Sequence, residues 1–211
     1  MEPRSVFRSE PDFLSINLML VRGFGTLLVN GKAGPIAQPA PLVFADDFKS
    51  VETHIARASG LYTALSDGIE CTILIHGPDG YISPDWYGKA GEVPTWNYAM
   101  IEVRGTAEIL PEADVPDYLD RLVASVEPRL APKEPWSTEQ LTAKRMRDFA
   151  AQVCALRINV RSIEGTWKLC QDKPTASREA AAKHLQHSPL GQHTDVLAAL
   201  MVGGGVTGLN F

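Results

Sequence analysis

The sequence predicts a mainly β fold with peripheral helices, in the form of a small and mostly antiparallel barrel. Roughly five to seven short strand patterns, separated by tight turns, occupy the first half of the chain. Helical patterns follow and are interrupted by one late strand pattern, a distribution that favours a barrel with helices at its edges. Because the late strand must return to a sheet that begins far earlier, we expect residues distant in sequence to meet at one site.

The first strand patterns come after a predicted helix over 11–22, which has Pro11 near its first turn. Two apolar runs then flank Asn30-Gly31, a dipeptide that predicts the turn of a β-hairpin. The segments "VETHIARA", "IECTILIHG" and "YAMIEVRGTAEIL" predict further strands. A short helix is expected at 60–66, and Gly105 indicates a bulge or bend within the last of these strands.

The second half of the chain contains most of the predicted helices. Apolar residues at helical spacing across 115–126 indicate a helix, with Asp114 as its N-cap. Ser137 and Gln140 have the spacing of a capping box for a second helix. The segment "CALRINVRSIEGTWKL" alternates as a strand does, and "SREAAAKHLQ" favours a helix by composition.

Composition and charge narrow the class of protein. We expect one large domain over 1–186, followed by a C-terminal helix and a mobile Gly-rich tail over 187–211. The net charge of −5 argues against broad, charge-driven affinity for nucleic acid or anionic membranes. The three cysteines form no C-x-x-C pair, so we expect neither a disulfide framework nor a metal site, and a reducing cytoplasm fits best. Neither a signal peptide nor a membrane span is predicted.

The segment "YISPDWYGKAGEVPTWNY", residues 81–98, is called the aromatic loop below. It concentrates tyrosines and tryptophans on an irregular stretch, because Pro84, Pro94 and several glycines interrupt any helix. Disordered linkers are poor in aromatic residues, so an ordered segment is expected. Two interpretations stay open: a loop packed over a core, or a wall of a pocket for a flat ligand.

Several side chains are candidates for ligand binding, and some of them also have a structural interpretation. Arg57 and Lys168 are the cations that we expect near an anion such as a phosphate monoester, for which Arg offers a bidentate fork. Trp96 and Asn97 could supply the apolar wall and the fixed polar group that a flat heteroaromatic ring needs. From the residues alone, ordinary surface ion pairing is slightly favoured for Arg57 and Lys168. His54 lies in a strand beside Arg57, where a structural hydrogen bond is the commoner role.

The basic cluster "AKRMRD" over 143–148 also has two interpretations. A solvated helix face is the usual role of such a cluster, and a weak DNA contact is the alternative. We find no helix-turn-helix pattern around it, so neither its sequence nor the net charge supports DNA as a partner.

Several segments in order resemble a known family. They are "THIARAS", "HGPDGYISPDWYGKAGEVPTWNY", "GTAEIL", "PWS" and "IEGTWKLCQDK". Together they resemble the PaiB-like family of FMN-binding negative transcriptional regulators, over most of the chain from Phe13 to His184. The resemblance implies a mostly antiparallel FMN-binding split β-barrel that forms a homodimer, with FMN in clefts at the subunit interface.

The resemblance also implies which residues bind FMN, and these residues form three groups. They are a strand group near the ribityl-phosphate (His54, Ala56, Arg57), a loop group near the isoalloxazine (Pro94, Trp96, Asn97), and a late-strand group that reaches in from the partner subunit (Lys168, Gln171). In this interpretation the aromatic loop walls the flavin cleft and contributes to the dimer contact.

The chain departs from the family pattern at a few positions. Family members commonly have Leu-Ser-Gln-Asn after the lysine, whereas this chain has Leu169-Cys170-Gln171-Asp172. An aspartate near a phosphate would repel it, so no cofactor role is assigned to Asp172. Relatives often carry His in the second strand where this chain has Gln38, so we expect the flavin edge that faces that strand to be bound differently.

Three functions are compatible with this fold. The first is a regulatory flavoprotein, either a negative transcriptional regulator or a redox-linked one. The second is an FMN-dependent oxidoreductase acting on a small molecule, and the third is a non-catalytic FMN-binding module. The sequence contains no proton-transfer constellation and no DNA-reading element, which weakens the second function and direct DNA binding in the first.

Overall fold

Strands make up most of the ordered secondary structure in the computed structural model, which describes residues 4–9, 13–65 and 68–203. The strands are β1 Arg8–Ser9, β2 Phe24–Gly31, β3 Gly34–Pro41, β4 Val43–Phe44, β5 Ser50–Ala56, β6 Ile69–Ile82, β7 Thr95–Ile109, β8 Val153–Lys168 and β9 Gly191–Gln192. The helices are α1 Phe13–Arg22, α2 Gly60–Ala64, α3 Val115–Val126, α4 Ala143–Ala150, α5 Thr175–Leu185 and α6 Thr194–Met201.

The strands join in the order β3-β2-β6-β7-β8-β5-β4, with β1 beside β8 and β9 beside β6. The pairings whose register is known are antiparallel. The late strand β8 pairs with the early strand β5 from Val153 opposite Ala56 to Asn159 opposite Ser50. The expectation that the late strand returns to an early part of the sheet is therefore confirmed.

The chain divides into two compact units. The first unit is Met1–Arg22, Ile75–Glu102 and Ile163–Phe211, and the second unit is Gly23–Leu74 and Val103–Ser162. Strands β6, β7 and β8 each contribute residues to both units. The C-terminal residues beyond 186 fall in the same unit as α1 and the aromatic loop, and residues 204–211 of the predicted tail lie outside the described part of the chain.

The core of the second unit is built from alternating strand residues. The period of two along β2 buries Leu27 and Val29, and the same period buries Val51 and Ile55 on β5. Full burial of each such side chain contributes about 1.5–3 kcal/mol of transfer free energy. A smaller cluster forms under α3 and α4, and its buried members are Leu110, Val115, Tyr118, Ala150, Val153 and Ala155.

The core of the first unit is mainly between helices and strand ends. Leu18 and Met19 of α1 are fully or almost fully buried, as are Leu185 of α5 and Leu197 of α6. Trp167 at the end of β8 is also buried, and its indole Nε1 donates to Ser15 Oγ over 3.0 Å. A buried indole N–H needs such a partner, which fixes α1 against the end of β8.

The structure corrects three local predictions. The hairpin is present, but Gly31 pairs with Gly34, so its two-residue turn is Lys32-Ala33 and not Asn30-Gly31. Asp114 makes no capping bond, because its backbone already has helical angles at the end of a 3-10 turn.

The third correction concerns the helix predicted after Ser137. Ser137 makes no side-chain cap and begins a 3-10 turn that ends at an extended Leu141. Helix α4 begins separately after Thr142, whose Oγ1 accepts from the Arg145 N–H over 3.1 Å.

Gly105, which was expected at a bulge or bend, lies within the unbroken strand β7. A Cβ at this position would come within 2.2 Å of the Asn159 carbonyl oxygen, so the glycine permits a close backbone approach.

The remaining helices agree with prediction within a few residues. α1 and α2 lie within the predicted ranges 11–22 and 60–66, of which residues 11, 12 and 66 are outside the described part. Across the described residues, we find no helix with the length and apolar composition needed to cross a bilayer.

Candidate functional site

The residues predicted to bind FMN fall into both compact units. The strand group, His54, Ala56 and Arg57, lies in the second unit at the end of β5. The loop group and the late-strand group lie in the first unit, at the start of β7 and the end of β8. The structure therefore brings the predicted residues together as two separate clusters, one in each unit.

His54 has the structural role that was the alternative interpretation. Its Nδ1 lies 2.7 Å from the hydroxyl of Tyr118 on α3, and its ring packs edge-on against Tyr118 and Phe149. Burial lowers the pKa of His54 and raises that of Tyr118, so both groups are neutral near pH 7. The pair joins β5 to α3 through one neutral hydrogen bond.

Arg57 combines an ion pair with an unsatisfied donor. Its Nη1 donates to the Tyr62 hydroxyl over 3.0 Å, and its Nη2 lies 3.4 Å from Glu112 Oε2. Its buried Nε has no hydrogen-bond partner among the described residues, although a buried N–H without one is costly. The neighbouring Ala56 is exposed. Arg57 is thus a fixed cation directly after β5, and among the described residues its carboxylate partner is the more exposed Glu112.

The aromatic loop supports both of its interpretations. Its Tyr87 ring is buried in the 3-10 turn Pro84–Tyr87, as expected of a loop packed over a core. Its Trp96 is 48% exposed and packs edge-on against Tyr81, with ring centroids 6.2 Å apart. Pro94 is exposed as well. The loop therefore offers an apolar outer surface on a fixed base.

Asn97 faces inward, toward sulfur atoms. It is fully buried, and its Nδ2 donates to Cys170 Sγ over 3.1 Å and to Met201 Sδ over 3.4 Å. Its Oδ1 is buried and has no partner among the described residues. The amide thus carries an unused acceptor at the end of β8.

The late-strand group is held by its own unit. Lys168 Nζ donates to Thr95 Oγ1 over 2.7 Å and lies 6.0 Å from the centre of the Tyr98 ring. Gln171 Oε1 accepts from the Leu169 N–H over 2.7 Å, and its Nε2 donates to the Trp167 carbonyl. Gln171 therefore closes the turn after β8, while Lys168 remains a half-buried cation.

A cavity of about 190 Å³ joins several of these residues in the first unit. Pro94, Asn97 and Lys168 line it, together with residues that the sequence analysis did not assign: Arg4, Tyr87, Cys170, Asp172 and Lys173. Ligand pockets have volumes of about 300–1,000 Å³, so this cavity alone does not hold a whole flavin nucleotide.

The residues missed by sequence analysis change the interpretation of the family departures. Cys170 is buried at a positive φ of 58°, with Sγ 3.4 Å from the Tyr87 hydroxyl. Asp172 accepts from Arg4 Nη1 over 3.0 Å, so its charge is paired. Arg4 was missed because its contact with Asp172 joins residues 168 positions apart, which no local pattern indicates. A hydrogen bond to Glu92 raises the pKa of Lys173, which keeps that side chain charged.

Comparisons with known proteins identify the family of this chain. A family model described as "Putative FMN-binding domain" matches residues 1–162. The protease synthase and sporulation protein PAI 2 of Bacillus subtilis is 25% identical over 173 residues, which are 81% of this chain and 82% of that protein.

Solved structures show the fold. The FAD and heme binding protein of Mycobacterium smegmatis has a TM-score of 0.57 at 18% identity, covering 77% of this chain and 73% of that one. The flavocytochrome Anf3 of Azotobacter vinelandii has a TM-score of 0.55 at 14% identity, covering 79% and 72%. The predicted fold class, a mostly antiparallel split β-barrel with peripheral helices, is confirmed.

Each of the two clusters, taken by itself, has features that suit part of a flavin nucleotide. Arg57 keeps an unsatisfied N–H on a cation beside the small, exposed Ala56, which suits a phosphate. Pro94 and Trp96 present apolar surface, which suits a flat ring, and Lys168 adds a second cation. The chain belongs to the PaiB-like FMN-binding family, and its cofactor is a flavin.

Proposed function

We propose that this protein is a homodimeric FMN-binding regulator that holds its flavin in clefts completed by the partner subunit. The observation that carries the proposal is Arg57, a cation directly after β5 whose buried Nε–H has no partner among the described residues. Its carboxylate partner in the described part of the chain, Glu112, lies at the long distance of 3.4 Å, so a phosphate can compete for the guanidinium.

Within the proposed cleft, each group has a distinct task. Arg57 binds the phosphate through charge-assisted hydrogen bonds, and the exposed Ala56 leaves room for it. Pro94 and Trp96 cover the isoalloxazine, which excludes water from one of its faces. Lys168 and Gln171 reach the flavin of the partner subunit, while Asn97 and His54 position the strands that carry these contacts. The flavin itself supplies one- or two-electron redox chemistry when bound.

The small cavity in the first unit supports the homodimer. Its volume of about 190 Å³ is too small for a whole flavin, so a complete site needs further walls. Apolar side chains of the same unit are exposed, and Val93 and Phe13 reach 70% and 66%. A second copy of this chain would supply such walls and cover these side chains.

A regulatory role has more support than an enzymatic one. The name of the Bacillus subtilis relative refers to sporulation, which is a cellular process and not a single reaction. His54, the titratable side chain nearest Arg57 in the strand group, is engaged by Tyr118. FMN-dependent oxidation of a small molecule is the second candidate, favoured by the flavin itself, and non-catalytic FMN binding is the third.

The basic cluster of α4 gives little support for direct DNA binding. Lys144 is paired with Asp148 over 2.7 Å, and the whole chain has a net charge of −5. Regulation through a protein or small-molecule partner is therefore better supported than regulation through direct DNA binding. We place the protein in the cytoplasm, because its three cysteines are buried thiols.

The proposal is tested on purified holoprotein. We expect a yellow protein that elutes at twice the chain mass by light scattering, and whose flavin keeps its colour when a reduced nicotinamide is added without other substrates. Rapid bleaching by the nicotinamide would favour the oxidoreductase. A colourless monomer that leaves the fluorescence of added FMN unchanged would contradict both the regulator proposal and the oxidoreductase alternative.

A further inference from the structure

The second unit contains another cavity, of about 490 Å³, which is lined by none of the residues predicted to bind FMN. It lies between strand β4, the turn that leads to β5, and helix α3. Its volume falls within the range of about 300–1,000 Å³ that is typical of small-molecule pockets. Its charged members are Asp47, Lys49, Glu52, Arg121 and Arg157.

Two arginines in this cavity share one carboxylate. Glu52 on β5 stands opposite Arg157 on β8 in the strand register, and Arg157 Nη2 donates to Glu52 Oε1 over 2.8 Å. Arg121 on α3 donates to Glu52 Oε2 through Nε over 2.8 Å and lies within 2.7 Å of it through Nη2. The carboxylate is only 10% exposed, whereas the two guanidiniums are 46% and 44% exposed.

This arrangement leaves positive charge and hydrogen-bond donors facing the cavity. Each guanidinium uses its Nε and Nη2 edge on Glu52, so Nη1 of each has no partner among the described residues. A guanidinium carries five N–H donors, and those on Nη1 are still available. Three cations against two carboxylates leave a surplus of one positive charge in the lining.

The opposite wall is apolar and is held by a strained turn. Val43 and Phe44 line the cavity, and the Phe44 ring lies 6.2 Å from that of Phe48. Phe48 has a φ of 55°, a left-handed conformation that bulky side chains rarely adopt. Such outliers cluster at ligand sites. The turn that carries Phe48 also supplies Asp47 and Lys49 to the cavity.

We propose that this cavity binds a small organic oxyanion with an apolar body, at a site separate from that of FMN. The oxyanion, a carboxylate or a phosphate ester, binds the Nη1 edges of Arg121 and Arg157. Its apolar part lies against Val43 and Phe44. For a flavoprotein regulator, this second site is a place at which a metabolite of that class can act.

A purely structural Arg–Glu–Arg triad is the competing explanation. The two explanations predict different anion affinities for the Glu52→Gln variant. If the triad only holds β5, β8 and α3 together, Glu52→Gln destabilises the chain, and neither the variant nor the unaltered protein binds the anion. If the cavity binds an anion, removal of the buried carboxylate raises the local positive charge and strengthens anion binding, by about tenfold.

The experiment titrates holoprotein by calorimetry with benzoate, with phenyl phosphate and with benzyl alcohol as the uncharged probe. We expect saturable binding of at least one anion and none of the alcohol, and the two anions distinguish a carboxylate site from a phosphate-ester site. Arg121→Gln should weaken the binding by at least about tenfold, because it removes charge-assisted hydrogen bonds. Arg161→Gln is the matched control, since Arg161 lies on β8, as Arg157 does, but in an exposed pair with Glu70 outside the cavity.

Each outcome decides for or against the proposal. Absence of saturable binding, or equal affinity in Arg121→Gln and Arg161→Gln, overturns it. Loss of FMN and of the anion together in Arg121→Gln also overturns it, because the cavity would then belong to the flavin site. Retained FMN with lost anion supports it. Should Glu52→Gln not fold, Arg121→Gln decides alone, because its guanidinium is nearly half exposed.

Discussion

Arg57 and Lys168 are both cations predicted to meet the flavin, and their surroundings differ. Arg57 lies in the second unit with a distant carboxylate and an Nε–H that has no partner among the described residues. Lys168 lies in the first unit, donates to the Thr95 hydroxyl over 2.7 Å and is beside the Tyr98 ring. The difference indicates that Arg57 is prepared for an anion, whereas Lys168 is a positioned point charge that can join a site completed by another chain.

The largest expected effect is that of Arg57→Ala on FMN affinity. Loss of charge-assisted hydrogen bonds of about 1.5–3 kcal/mol corresponds to a weakening of roughly 10- to 150-fold. Riboflavin lacks the phosphate, so its affinity should fall much less, and the ratio of the two affinities should narrow. Fluorescence titration with both ligands measures that ratio.

A matched control separates phosphate binding from loss of structure. Arg161→Ala removes another arginine of the same unit, whose pair with Glu70 is exposed, and should leave both affinities unchanged. The melting temperature of apo Arg57→Ala should also change little, because a partly exposed ion pair contributes little to folding. An unaltered ratio of FMN to riboflavin affinity in Arg57→Ala would mean that Arg57 does not bind the phosphate.

The second effect tests whether Lys168 acts across a subunit interface. Lys168→Ala should weaken FMN by about tenfold, less than Arg57→Ala, because an ammonium lacks the bidentate fork. Mixed dimers of Arg57→Ala and Lys168→Ala chains then distinguish the two arrangements. If Lys168 serves the partner's flavin, one of the two sites in a mixed dimer is intact and should bind with the affinity of the unaltered protein. If both residues serve the same chain's flavin, every site is impaired.

The third effect concerns pH and the pair of His54 and Tyr118. Burial lowers the pKa of His54 from 6.5 in the folded chain, so below pH 6.5 the unfolded chain binds a proton that the folded chain does not. Stability is therefore fully present above that pH and falls as the pH is lowered, by at most about 1.4 kcal/mol per pH unit. Urea unfolding between neutral and mildly acidic pH should show a flatter dependence for His54→Gln.

The exposed His184 provides the comparison for this pH dependence. It stacks on Trp86 with ring centroids 5.6 Å apart, and His184→Gln is the matched histidine variant. A slope that is the same in the unaltered protein and in His54→Gln would show that His54 does not carry the acid sensitivity of the second unit.

The sequence predicted the elements better than the contacts. The alternation along β8 and the helical spacing of α3 are local signals, so their positions follow from the residues alone. The turn at Lys32-Ala33 does not, because the register fixed by paired strands overrode the preference of Asn30-Gly31. Pairing between Arg4 and Asp172 joins residues 168 positions apart, and no local pattern indicates such a contact.

The candidate site was predicted only in part, because its contacts join residues that are distant in sequence. The resemblance to a family gave Arg57 and Lys168, whose structural surroundings suit the roles implied for them. It did not reveal that the Asn97 amide faces Cys170, because burial of a side chain depends on packing partners such as Met201 on α6. Nor did it reveal the Arg121–Glu52–Arg157 triad, which requires the register of β5 and β8.

The smallest expected effect is that of Asp172→Asn, which restores the residue that family members commonly carry. Asp172 accepts from Arg4 over 3.0 Å, and both side chains are partly exposed, so the pair contributes at most about 1 kcal/mol. Because Arg4 already compensates the charge of Asp172, FMN affinity should change less than threefold, or about 0.6 kcal/mol. Arg4→Gln should expose the repulsion instead, since it removes the ion-pair partner of Asp172. Weaker FMN binding in Arg4→Gln, restored by Asp172→Asn in the same chain, would show that this cavity and the flavin phosphate affect each other. A large gain in FMN affinity from Asp172→Asn alone would contradict the compensation by Arg4.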